Sequence, residues 1–174
     1  MSDTVLRSQS PAPDLAVFMA SNAGAVIEDV AKQFGVTPRD VVDALPAGMR
    51  RFAPGNRFAE IMTAISQWGE VTLIVNTDDG IIEFTGPVME GRISGDYYNV
   101  MARTGFHGHL RHQRCASIAF VQRPFMGRLS AFVAFLNTDG GIMFKIFVGR
   151  DDKRELLTEQ LSAFETLTNE LCAP

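Results

Sequence analysis

The sequence predicts an α+β fold, with short N-terminal helices, a large antiparallel sheet and one closing helix. Three observations carry that expectation. Apolar residues recur at helical spacing as far as Trp68, and from Val71 the period drops to two while β-branched and aromatic residues take over. The later segments are joined by loops as short as "RTG", "RHQR", "PFMG" and "NTDGG", too short for the crossover of a dozen or more residues that parallel strands require. A leucine-rich stripe of helical period ends the chain. Residues 1–13 then read as a disordered tail and 14–174 as one domain, divided into a helical part (14–68), an antiparallel sheet (71–149) and a C-terminal helix (152–172).

In order, Leu15 to Ala23 is the first helical pattern. "AVIEDVAKQF" sets Val26, Ile27, Val30 and Phe34 at helical spacing, and Gly35 stops it. "VTPRDVVDAL" follows with Thr37 as N-cap and Pro38 in the first helical position, and ends at Pro46 and Gly48. "NRFAEIMTAISQW" carries Phe58, Ile61, Met62 and Ile65 as an apolar stripe. "VTLIVNT" and "IIEFTGPV" flank Asp78, Asp79 and Gly80, a hairpin signal. Further strands are expected around Tyr97–Ala102, Phe106–Leu110, Cys115–Gln122, Ser130–Leu136 and Ile142–Val148, in a meander. Asp152 and Glu155 have capping-box spacing ahead of Leu157, Leu161, Phe164, Leu167 and Leu171.

Composition removes several function classes. With 174 residues, 46% hydrophobic and 21% charged, the chain has the make-up of an ordinary soluble protein. The N-terminal "MSDTVLRSQSPAPD" does not read as a signal peptide, and no run of eighteen apolar residues occurs, so a cytoplasmic protein without membrane insertion is expected. Cys115 and Cys172 lie far apart, which suggests neither a disulfide framework nor a zinc ribbon. There is no GxSxG elbow, Walker loop or Rossmann fingerprint. The net charge of −4 hides an asymmetry, because eight basic residues face three acids between Met89 and Arg150. A basic middle in an acidic chain attracts an anion locally.

"AKQFGVTPRDVVDAL" has helix-turn-helix spacing, but its second helix offers Arg39 against Asp40 and Asp43. A surface of that charge is repelled by phosphates, so a packing unit is expected there and no nucleic acid as partner. All three histidines fall in "GFHGHLRHQR". On one strand His107 and His109 would share a face, while His112 would sit exposed in a turn. An HxH pair alone is short of a structural metal site, and the hairpin contains no carboxylate. Around the pair stand Tyr97, Tyr98, Met101, Phe106, Phe125, Met126, Phe144 and Phe147, together with the arginines. Such a set suits a flat apolar ligand with anionic groups, and haem is one, since its iron needs only one His or Tyr. The alternative reading of the same residues is an ordinary sheet core.

The motifs "ISQWGEVTLIV", "GDYYNV", "GFHGHLRHQRCASIAFVQRPFMG" and "FKIFVGRDDKRELLTEQLSAF" resemble the cytosolic haem utilisation carriers of the HutX/ChuX type, relatives of each half of the larger HemS/ChuS proteins. With the helical segment they span about Val26 to Phe164. The resemblance implies a split-barrel sheet, a homodimer with shared sheet elements, and a carrier that takes imported haem and passes it to a downstream haem-processing enzyme. It implies that haem is cargo and that the chain is not itself an enzyme. His109 matches a haem-binding histidine and is the candidate axial ligand. Tyr98 is a second donor or lining residue, Arg92 a propionate partner, and Phe106 and His107 flank the site. Asn76 stands where some relatives place another histidine, and Asn is a poor iron ligand. A haem-degrading or flavin-dependent oxidoreductase on a split barrel is the alternative, and a haem-responsive regulator a third.

Overall fold

A computed structural model describes residues 13–172. The expected tail lies outside the described residues, except that Pro13 opens the first helix. The elements are α1 (Pro13–Ser21), α2 (Ile27–Phe34), α3 (Pro38–Asp43), β1 (Arg50–Pro54), α4 (Phe58–Ile65), β2 (Glu70–Thr77), β3 (Gly80–Pro87), β4 (Gly91–Ser94), β5 (Tyr97–Val100), β6 (Gly108–Leu110), β7 (Cys115–Phe125), β8 (Arg128–Asn137), β9 (Ile142–Phe147) and α5 (Thr158–Leu171). N-terminal helices, antiparallel sheets and a C-terminal helix are all present.

The strands make two sheets. A six-stranded sheet runs β1-β7-β8-β9-β2-β3, and β4-β5-β6 form a second of three strands. The β7-β8-β9 meander docks on the earlier β2-β3 hairpin by antiparallel pairing of Leu73 with Ile146. Thr77 and Gly80 close that hairpin. Two strands lie where none was expected. β1 falls inside the supposed helical part, because the chain leaves α3 and pairs Phe52 with Ala119 at the edge of the large sheet, where the terminal Pro54 is tolerated. β4 turns back into β5 through Gly95 at φ +58°.

The helical half follows its local chemistry. Gly35 takes φ +64° to end α2. Thr37 accepts a hydrogen bond from the Asp40 N–H, and the Asp40 carboxylate accepts one from the Thr37 N–H at 2.9 Å. The helix-turn-helix-like pair is a packing unit. Ile27, Val30, Val41 and Val42 are buried with Leu15 and Met19 against Ala119, Val121, Phe132 and Ala134 of the large sheet. Arg39 is already engaged, bonded to Asp43 and Ser117 and stacked 4.0 Å over Phe52.

The opposite face of the large sheet carries the second core, where Ile118, Phe120, Val133 and Phe135 meet Phe58, Ile61 and Met62 of α4, Phe164 of α5, and Tyr98 and Val100 of β5. Each such fully buried side chain contributes about 1.5–3 kcal/mol. β7 and β8 are buried on both faces, which accounts for the unbroken apolar run "AFVAFL". The last helix begins later than 152. Asp151 accepts hydrogen bonds from the N–H groups of Lys153 and Glu155, so residues 151–155 form a turn and the expected Asp152 cap does not form. Buried Gln160 instead fastens α5, accepting from the Gly149 N–H and donating to the Trp68 and Glu70 carbonyls.

Candidate functional site

Strand alternation sorts the small sheet into two faces. Tyr98 and Val100 of β5 point to the core, so Tyr97 and Asn99 point away from it. Arg92 of β4 is paired with Asn99, and Asn99 with His109 of β6. Arg92, Asn99 and His109 therefore form a row across three strands on a face that solvent reaches. His109 Nδ1 lies 2.5 Å from Asn99 Oδ1. The Asn99 amide nitrogen donates to the carbonyls of Arg92 and Tyr97, each at 3.3 Å. The Tyr97 ring stands edge-on to the imidazole at 6.1 Å, and the Arg111 guanidinium lies 5.2 Å over the Tyr97 ring. An exposed Met101 follows β5.

The other expected residues are placed differently. Tyr98 is 1% exposed and belongs to the core; its hydroxyl accepts the Gly91 N–H at 2.7 Å. Burial pushes its phenol above the ordinary range, with the Gly91 hydrogen bond acting the other way. Tyr98 is thus turned away from His109, and Tyr97 is the phenol on that face. His107 lies before β6 begins, so period two does not extend to it, and its ring is 3.1 Å from the Gly105 carbonyl. Phe106 is partly buried against Phe84, 5.9 Å between rings. His112, expected to be exposed, is half-buried beside Phe58, and its Nε2 is buried without a hydrogen-bond partner. Cys115 is buried, which pushes its thiol up to about 12 and rules out a thiolate at neutral pH. Among the described residues no three His, Cys, Asp or Glu side chains gather as a metal-ion site.

A second region lies on the far side of the large sheet, where a cavity of about 460 Å³ opens between the start of α2 and the β2-β3 hairpin. Ile74, Ile81, Phe125, Phe132 and Phe147 give it apolar walls, and Asn76 also lines it. Lys145, Arg123 and Ser130 are buried in its wall, while Glu70, Glu83, Thr85 and Arg150 stand exposed at its rim. Lys145 Nζ donates to Glu28 at 2.6 Å, and Arg123 donates to the carbonyls of Ala23 and Ala25. Arg123 Nε and Glu28 Oε2 have no partner, and burial lowers the Arg123 pKa to about 10. Sequence reasoning missed Asn99 and this cavity. Taking the phase of β5 from Val100 would have found Asn99; nothing local signals the cavity, since it is made by elements far apart in the chain.

Residues 51–167 match the protein family described as haem utilisation ChuX/HutX. The chain belongs to that family. It is 39% identical over 139 residues to the intracellular haem transport protein HutX of Vibrio cholerae, covering 79% of this chain and 72% of that one. A crystal structure of a protein from Erwinia carotovora superposes with a TM-score of 0.87 at 41% identity, over 90% of this chain and 98% of the other. The haem-binding protein ChuX superposes at 0.82 with 38% identity, over 90% and 97%. The ChuX/HutX match begins within β1 and ends in α5, so it contains the Arg92–Asn99–His109 row whole. The cavity of this ChuX/HutX member straddles the boundary, because Glu28 lies before residue 51. No helix among the described residues is long and apolar enough to cross a membrane.

Proposed function

We propose that this ChuX/HutX family member is a cytoplasmic haem-binding carrier that accepts imported haem and passes it to a haem-processing enzyme, without itself being an enzyme. One observation supports this placement of the cargo: His109 stands on an open face with a ring nitrogen free of hydrogen bonds, with Arg92 across Asn99 at the other end of its row and Arg111 over the neighbouring Tyr97 ring. The imidazole supplies an axial bond to iron. The guanidinium groups attract the propionates, and exposed Met101 and the Tyr97 ring offer apolar contact at the macrocycle edge. A single strong donor on an open face favours release, and transfer to another protein is limited by the off-rate.

Several finer points accompany this reading. Residues 14–174 act as one carrier unit, with the two sheets as the halves of a split barrel around the shared core of Phe58, Tyr98 and Phe135. Two copies associate through sheet elements, and the edge strand β3 presents Ile81 and Ile82, 61% and 67% exposed, as the apolar material for it. A second placement of the same cargo is favoured by the orphaned Arg123 Nε and the apolar walls of the cavity, which would accept the macrocycle with a carboxylate inward. The deciding experiment is a hemin titration of the apoprotein beside His109→Ala. A saturable Soret shift that His109→Ala weakens and alters in shape supports the open face. A shift that His109→Ala leaves unchanged moves the cargo elsewhere, and no saturable shift removes haem as the cargo.

A further inference from the structure

We propose that Asn99 is a positioning residue that decides which nitrogen of His109 meets the cargo iron: it holds the imidazole as the Nδ1–H tautomer and leaves Nε2 as the bare donor. Only the last step rests on His109 being the haem ligand. The tautomer is a property of the protein alone.

The orientation of one amide decides which nitrogen carries the hydrogen. The Asn99 Nδ2 group donates to two backbone carbonyls, those of Arg92 and Tyr97. Turning the amide over would set Oδ1 against both carbonyl oxygens and lose both bonds, so the network fixes Oδ1 toward His109. That oxygen only accepts, and it lies 2.5 Å from Nδ1. Nδ1 must therefore carry the hydrogen. A neutral imidazole has a single N–H, so Nε2 is left with its lone pair. The pairing does not depend on a loop. Asn99 and His109 face each other in the β5-β6 ladder, and the Tyr97 ring limits rotation from the side.

The chemical consequence is a tuned ligand. A hydrogen bond from Nδ1–H to an oxygen orients a metal-binding imidazole and raises the basicity of its other nitrogen. A carboxylate in that place would push furthest toward imidazolate and the tightest iron bond. A neutral amide gives the orientation with a weaker push, which suits a donor that must let go.

The test begins on the apoprotein, labelled with 15N and held at about pH 8.5, well above the ordinary imidazole range. Long-range proton–nitrogen correlation spectra, assigned with His109→Gln, are expected to place His109 Nε2 among unprotonated nitrogens and Nδ1 among protonated ones. In Asn99→Val, which keeps strand propensity, the two resonances should move toward a tautomer average. A parent with the proton on Nε2, or an Asn99→Val spectrum unchanged at His109, overturns the assignment. Hemin supplies the second readout: Asn99→Val should lose about ten- to a hundredfold in affinity and, with the Nδ1–H acceptor gone and Nε2 a weaker donor, raise the iron reduction potential, a shift that a merely structural role would not produce. Equal potentials for Asn99→Val and the parent overturn the tuning. Unchanged hemin binding by His109→Ala overturns the carrier site on this face and the last step with it, while the apoprotein spectrum still decides the tautomer.

Discussion

On the small sheet the polar side chains stand in a row that water reaches; in the wall of the cavity under α2, Lys145, Glu28 and Arg123 are enclosed and already bonded to other groups of the protein. Arg92 and His109 can wait for a ligand at no cost, since solvent covers them in the meantime. Lys145, Glu28 and Arg123 cannot, because a buried charge without a partner is strongly destabilising. Lys145 is accordingly bound to Glu28, and Arg123 to two carbonyls at the start of α2. The difference teaches that the number of cations near a hollow is a poor guide to cargo. What matters is whether those cations already have a structural duty.

The largest test of that contrast is Lys145→Ala. Removing one partner of the pair leaves Glu28 enclosed, and unfolding in denaturant should show a loss of about 3–5 kcal/mol, while the folded fraction binds hemin as before. A loss of hemin binding with stability intact would reverse the roles given to the two regions. Next comes Tyr98→Phe, which deprives the Gly91 N–H of its acceptor and should cost about 1–3 kcal/mol of stability. The hemin spectrum of this variant should match the parent's, and a changed Soret band would return Tyr98 to the site. Arg92→Gln removes a charge at the rim of the row. Its hemin affinity should fall by up to about fivefold, the ~1 kcal/mol that an exposed ion pair is worth, and the deficit should shrink at high salt. Asn76→His sets a strong iron donor inside the cavity and is expected to change neither affinity nor spectrum. A tighter complex with a new spectrum would place the macrocycle there.

Much of the architecture was legible because it is written locally. The change of period at Val71, the Gly35 stop, the Thr37–Pro38 start and the short loops of the meander each fix an element within a few residues. β1 and β4 were not legible, since five- and four-residue strands with few apolar side chains owe their existence to the partners they pair with. The start of α5 was misread because Asp151 bonds the turn before Asp152 can cap a helix. On the proposed face, His109 and Arg92 were expected by type and by family resemblance. Which tyrosine shares their face is a question of strand phase, and it is Tyr97, because Tyr98 turns into the core. The Asn99–His109 bond depends on register between strands, which no single segment records.

β7 and β8 have a consequence for how the molecule comes apart. Neighbouring residues on one strand, such as Ile118 and Ala119 or Phe132 and Val133, belong to cores on opposite sides of the sheet. Neither layer can melt without stripping the strands the other depends on, so the body should unfold in a single cooperative transition. The β4-β5-β6 sheet hydrogen-bonds to neither strand. Its Tyr98 and Val100 nonetheless lie buried in the core that Phe58 and Phe135 share, so the ladder should stay closed until that same transition.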